Sequence, residues 1–346
     1  MFMFIVRMLK HRFSLFCIAL FLWAFTGCAL TEPSQSEFVL GTICRISLYE
    51  QGKPEVYRDI FRRFREIEDR MSVGLEQTDV ARINANAGIG PVTVHEDVFE
   101  VIERAVYYAE ISEGAFDPTV GPLVSLWGIG GDNERVPSRE EIDAVLPLVG
   151  WRNIDLEKEH CTVYLKRSGM ALDLGAIAKG FAADEAAEIV KKAGIKRAII
   201  DLGGNILIYG EKKDKSPWRV GIQNPFDSRG AYVGIVQVGE KTVVSSGVYE
   251  RFFEAEGVRY HHILSPFEGG PAQSGLLSVS IVTDRSMDAD ALSTAVFVLG
   301  YERGRALIES LEGVAGVFIL DDMSIRLSGR LDFILTDDKY RIVSEQ

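Results

Sequence analysis

The chain has 346 residues, with 38 Lys and Arg against 50 Asp and Glu, and a formal net charge of −12. A surface this acidic excludes nucleic acid as the expected partner, because nucleic acids are bound through clustered positive charge. Any phosphate-bearing ligand then needs a local cation, either a metal ion or a placed lysine.

The chain opens with Arg7, Lys10 and Arg12, followed by an apolar run from Leu15 that ends in Phe25-Thr26-Gly27-Cys28. A basic start, a short apolar core and small residues before a cleavage point describe a secretory signal. A spanning helix would need about 20 apolar residues. Cys28 after a small residue is similar to a bacterial lipobox, with Phe25 where an aliphatic residue is usual; a plain signal peptide with a chance cysteine is the alternative. The expectation is a signal peptide over 1–27, a lipidated Cys28 with a tether over 28–36, and one large body over 37–346. The protein would then be lipid-anchored at the inner membrane, facing the periplasm. Loss of the signal removes three positive charges and no negative ones, so the net charge falls to −15. Cys17 leaves with the signal. Cys44 and Cys161 remain, as two buried thiols or as a disulfide. With no CxxC and only His95, His160, His261 and His262 in the mature chain, a multi-histidine metal centre is excluded.

From Pro54 to Met71 the apolar residues Val56, Ile60, Phe61, Phe64, Ile67 and Met71 recur at helical spacing. Glu96–Glu113 repeats the pattern, with Gly114 placed as a C-cap. Ser138 is placed as the N-cap of a short helix toward Leu146. Ala176–Ala193 is an alanine-rich helix stopped by Gly194, and Ser286–Leu299 and Glu302–Leu311 are helical. Strand-like runs cover Phe38–Tyr49, Thr162–Lys166, Arg197–Asp201, Ile206–Tyr209, Trp218–Gln223, Val233–Val238, Thr242–Ser246, Tyr260–Leu264, Leu277–Val282 and Val317–Leu320. Short turns such as Gly239-Glu240-Lys241 point to antiparallel pairing. The fold class is α+β, with mixed, largely antiparallel sheets and packed helices, not a regular βαβ alternation.

Four segments lack a purely amphipathic explanation. Gly114–Leu123 holds two Pro and two Gly and reads as a rigid loop or a structural turn. Asp173-Leu174-Gly175-Ala176-Ile177-Ala178-Lys179-Gly180 places a helix start after a strand ending at Leu172. Backbone N–H groups there favour anions, the small residues admit a close ligand, and Lys179 can reach a phosphate. The bland alternative is a capping Asp and a surface Lys. Ser245-Ser246-Gly247, Tyr249, Arg251 and Tyr260–Pro266 contain adjacent histidines, of which alternation puts one on each face. Asp290 and Thr294, four apart at a helix start, share a face and offer two oxygens that suit a hard cation such as Mg²⁺; capping by acids is the alternative.

Together these segments resemble the bacterial FAD:protein FMN transferases of the ApbE type. The match also takes in Leu40-Gly41-Thr42, Glu68-Asp69-Arg70-Met71-Ser72, Asn84 and Gly203–Ile206, and covers nearly the whole body in order. The resemblance implies FAD as substrate and Mg²⁺ held by Asp290, Thr294 and the Ala176 carbonyl. It also implies a cofactor site lined by Leu40, Ala115, Phe116, Asp117, Asp173, Lys179 and Ile263. His262 falls on the family's catalytic histidine, expected to titrate near neutrality and to act as base. The family moves FMN from FAD to a threonine of a partner protein, typically an exported subunit of a membrane redox complex, leaving AMP.

The sequence departs from the family pattern at three places. Gly74 stands where an aromatic usually stacks on adenine, which weakens the grip there by about 1–3 kcal/mol. It also opens room for water, so hydrolysis of FAD to FMN and AMP competes with transfer. Ser265 replaces an Asp, and Val248 occupies a position often polar. Two other readings remain: a flavin-binding lipoprotein that captures or stores FAD without cleaving it, and a solute-binding lipoprotein, which calls for two similar lobes.

Overall fold

The computed structural model describes residues 34–49, 53–227 and 230–343. The signal segment and Cys28 lie outside the described residues. Strand β1 (Ser34–Val39) pairs antiparallel with β2 (Thr42–Leu48), so strand pairing reaches into the segment read as tether. Phe38–Tyr49 is therefore not one strand. It folds back at Leu40 and Gly41, both at positive φ (56° and 67°), which matches a tight two-residue hairpin turn.

Nine strands form the central sheet, in the order β1, β2, β6 (Ala198–Leu202), β7 (Asn205–Tyr209), β10 (Thr242–Gly247), β13 (Leu276–Thr283), β14 (Ala315–Leu320), β15 (Ser324–Ser328) and β17 (Arg341–Ile342). Every pairing is antiparallel except β15 with β17. Alternation along the strands supplies two cores. Val244, Val279, Ile281 and Phe318 face the helices, whereas Val243, Val282, Val317 and Ile319 face a three-stranded sheet. That sheet contains β8 (Trp218–Gln223), β9 (Tyr232–Val238) and β16 (Asp332–Leu335).

The helical layer follows from the apolar periods. Helix α1 (Pro54–Met71) carries Pro at its start and buries Val56, Ile60, Phe61, Phe64, Ile67 and Met71, as its spacing requires. Between α1 and the sheet's other helices lie α2 (Asp79–Ala85) and α3 (Glu96–Ile111) in chain order. Helix α4 (Gly121–Trp127) begins at the end of the segment read as a loop, because Pro122 suits a first turn. Helix α5 (Arg139–Val145) has the capping box of Ser138 and Glu141. Helices α6 (Ala178–Lys192) and α7 (Ser286–Glu309) pack on each other, and α7 packs on β10 and β13. Gly300, at φ +74°, breaks α7 where two helices were expected. The strand expected to end at Leu172 is absent; Ala171 makes a single bridge to Val120.

Gly180 shows why α6 and α7 can cross so closely. A Cβ there would lie 2.3 Å from the Ser286 carbonyl oxygen and 2.6 Å from the Met287 Cα. The glycine was read as room for a ligand; its hydrogen is in fact spent on the neighbouring helix. Asp184, one turn further, accepts the Ser286 and Met287 N–H groups at 2.8 and 3.0 Å, closing the start of α7. Gly180→Ala should therefore destabilise the fold by about 1–3 kcal/mol through overpacking. Asp184→Ala should cost about 1–3 kcal/mol by leaving two donors bare. Denaturant unfolding checks both; midpoints equal to the parent's would contradict this account of the crossing.

Candidate active site

The starts of α6 and α7 cap each other. Asp290, 4% exposed, accepts the Gly180 N–H through Oδ2 at 2.9 Å. Its Oδ1 lies 3.5 Å from Lys179 Nζ, which also donates to the Gly175 carbonyl at 3.0 Å. Gly180 is in the first turn of α6, whose N–H groups have no intrahelical partner, and the Ala176 carbonyl lies one residue before the cap Ile177, outside the helical ladder. Among the described residues no donor reaches it. Ser293 donates to the Asp290 carbonyl at 2.9 Å, and the Thr294 hydroxyl has no hydrogen-bond partner among the described residues. Asp290 Oδ1, Thr294 Oγ1 and the Ala176 carbonyl are thus hard oxygens with capacity to spare, the donor chemistry that a Mg²⁺-like ion takes. Asp288, two residues before Asp290, is instead spent on Arg104 in a two-pronged pair at 2.8 and 2.9 Å.

Two loops run beside this pair. The Asp173 N–H donates to the Pro118 carbonyl at 2.8 Å, and Gly121 N–H to Ala171 at 3.2 Å. Asn84 holds Leu172 from both sides, donating to its carbonyl (3.0 Å) and accepting its N–H (2.7 Å). Asp173 Oδ1 accepts the Gly175 N–H, and burial pushes its carboxyl above the usual range, opposed by Lys179 and Arg251. The Asp117 carboxylate accepts the N–H and hydroxyl of Thr119 and the Trp151 N–H within the loop. Ala115, Phe116 and Ile263 are buried.

Strand β12 (Val258–His261) pairs with β11 (Phe252–Ala255) and ends at His261, three residues short of the expected run. The two histidines separate as alternation requires. His261 is buried against Phe297, with Nε2 3.2 Å from the Ala272 carbonyl. His262 N–H donates to the Arg251 carbonyl at 3.0 Å, and Nδ1 lies 3.2 Å from the same oxygen. That contact makes Nδ1 the protonated nitrogen and leaves Nε2 as acceptor. His262 does not titrate near neutrality as expected. Burial first, then the charges of Arg251 and Lys179, hold its pKa down at about 4. It is therefore neutral throughout the physiological range.

Leu40 is in the strained turn, packed against the core, and the neighbouring Gly41 carbonyl accepts from Arg251 Nη2 at 3.1 Å. Gly74 lies on an exposed loop; a Cβ there would meet only Ser72 Oγ at 3.7 Å, so a larger side chain fits. Ser265 is buried, and its Oγ accepts the Phe267 and Glu268 N–H groups, keeping the turn an Asp would make. Cys44 is a buried free thiol and Cys161 a free, partly buried one; they are not paired. The exposed cluster Glu157, Glu159 and His160 is far in sequence from these motifs. Sequence reasoning missed two groups. Arg251 carried no role, and Asp184 looked like one acid in an alanine-rich helix.

The sequence profile of the ApbE family matches residues 40–318. A protein of Treponema pallidum (strain Nichols) named FAD:protein FMN transferase is 41% identical over 315 residues, 86% of this chain and 87% of that one. A protein of Klebsiella pneumoniae (strain 342) with the same name is 36% identical over 90% of this chain and 96% of its own length. Among solved structures, the ApbE protein of Thermotoga maritima superposes with a TM-score of 0.79 at 35% identity, over 85% of this chain and 96% of that one. The flavin transferase ApbE of Vibrio cholerae gives 0.75 at 29% identity, over 88% and 97%.

Proton NMR of the His262 ring should report a midpoint near pH 4 in the ligand-free protein. The folded value lies below the ordinary 6.5, so this group costs stability as pH falls from 6.5 toward 4. A midpoint between 6 and 7 would contradict the desolvated setting.

Proposed function

The chain belongs to the ApbE family, and from that premise we propose that it cleaves the FAD diphosphate and passes FMN to a threonine hydroxyl of a partner protein, leaving AMP. The observation that carries this reading is the set of spare hard oxygens on Ala176, Asp290 and Thr294 beside Lys179, whose charge also acts on His262. Mg²⁺ bound by those oxygens would offset the diphosphate charge and favour departure of AMP. Lys179 supplies a positive point charge to the phosphates and holds the Gly175 turn in place. His262, neutral and with Nε2 free, accepts the proton of the incoming hydroxyl. An anionic diphosphate beside Lys179 and Arg251 offsets the charges that hold the imidazole down, so its basicity rises when substrate is bound.

Water is the competing acceptor in this reading. Gly74 leaves the adenine side open, which favours FMN release, so the protein acts both as FMN transferase and as FAD diphosphatase. Export with a lipid on Cys28, a signal over 1–27, a tether to residue 36 and a single catalytic body over 37–346 belong to the same proposal. That arrangement puts exported flavoprotein subunits of a membrane redox complex within reach as acceptors. No helix among the described residues is long and apolar enough to cross a membrane.

Incubation with FAD and Mg²⁺, with and without a threonine-containing acceptor, should yield AMP in both cases, followed by chromatography and mass spectrometry. Asp290→Ala and His262→Ala should each slow AMP release by roughly 10²–10⁴-fold. A protein that binds FAD and releases no AMP would instead be a flavin-capturing lipoprotein. Gly74→Tyr should raise the ratio of protein flavinylation to free FMN; an unchanged ratio would remove Gly74 from the account of water access.

A further inference from the structure

Arg251 serves the site with two different atoms. Its carbonyl takes both hydrogen bonds that orient His262. Its guanidinium extends to the hairpin turn, where Nη2 donates to the Gly41 carbonyl at 3.1 Å. The stem passes Gly130, where a Cβ would lie 3.6 Å from the arginine Cδ. Gly41 leaves space on the other side, since a Cβ there would approach Nη2 to 3.3 Å.

The charge of this arginine has no counterion. Arg63, Arg70, Arg104 and Arg135 all sit against carboxylates. Arg251 has no ion pair with any described residue, although the protein is strongly acidic overall. A guanidinium carries five donors in a planar fork, and only one is committed here. Its field falls on Asp173 and His262, the same two groups on which Lys179 acts. Two cations thus act on the same two groups, and of the two only Lys179 lies near a carboxylate oxygen, Asp290 Oδ1 at 3.5 Å. A fork with donors left over, beside a lone ammonium, is the pairing that an oxygen-rich dianion satisfies.

We propose that Arg251 is a substrate-contacting residue whose guanidinium binds the diphosphate of FAD beside Lys179, bridging the Leu40–Gly41 turn to the bound phosphates. This rests on the FAD reading above. It adds a geometric function for the turn: the strain at Leu40 holds the Gly41 carbonyl where it steers the arginine. It also couples binding to chemistry, because the residue that grips the phosphate carries the carbonyl that orients His262.

The test measures binding to the detergent-solubilised full chain without Mg²⁺, using FAD, ADP and riboflavin as probes. ADP has the diphosphate without the flavin, and riboflavin has the flavin without phosphate. Arg251→Gln should weaken FAD and ADP by roughly ten- to a hundredfold, the range expected for a charge-assisted hydrogen bond. Riboflavin should bind as it does to the parent. Arg251→Lys should recover part of the loss, since it restores charge and not the fork. Unchanged FAD and ADP affinity in Arg251→Gln would overturn the proposal. An equal loss for riboflavin would overturn it too, showing that the arginine only braces the turn. Failure of the parent protein itself to bind FAD or ADP would instead refute the FAD reading, and the proposal with it.

Discussion

Gly180 and Asp184 lie one turn apart on α6, and both meet the first turn of α7. In return, Asp290 of α7 accepts the Gly180 N–H. Each helix start is closed by a carboxylate of the other, so neither can shift without baring donors of both. Buried N–H groups left unpaired cost about 1–3 kcal/mol each, which makes the crossing a stiff joint. The site depends on that joint. The contact fixes Asp290 through Oδ2 at the first turn of α6, just after the Ala176 carbonyl that precedes the cap of that helix. Burial raises the Asp184 pKa to about 6, so this cap is held at some electrostatic cost.

The electrostatic arrangement follows from the same frame. A protein with net charge −12 has to confine its positive charge if it is to accept a phosphate. Lys179 and Arg251 do this from different elements, the first turn of α6 and the residue before β11. Both act on His262, which is desolvated and neutral. The setting selects the acceptor form of the ring at the expense of intrinsic basicity. His261, next in sequence, faces the core against Phe297, because alternation allows only one of the two to face the site.

Much of this was legible in the residues. The apolar periods of α1 and α3, the Ser138 cap, the Gly300 break and most central strands followed from spacing and capping chemistry alone. What escaped was non-local. A run such as Phe38–Tyr49 looks continuous until the turn at Leu40, a non-glycine residue at positive φ that no propensity suggests. Asp117 sits in a ligand-like motif yet spends its carboxylate on Thr119 and Trp151, contacts set by the fold. The displaced pKa of His262 arises from burial and from charges that are distant in sequence, and Arg251 gained a role only when Gly41 and His262 came together. The chemistry of Asp290 and Thr294 was readable from their spacing; the Ala176 carbonyl came only with the family resemblance, since a backbone oxygen just before a helix cap carries no side-chain signal.

The proposed cation site lies where α6 and α7 cap each other, with Asp290, Thr294 and the Ala176 carbonyl as its hard oxygens. A crystal structure with FAD and Mn²⁺, located by anomalous scattering, tests it most directly. The account places the ion roughly 2.0–2.3 Å from the Ala176 carbonyl, an Asp290 carboxylate oxygen and the Thr294 hydroxyl. An anomalous peak elsewhere, such as the exposed Glu157, Glu159 and His160 cluster, with none between α6 and α7 would contradict it.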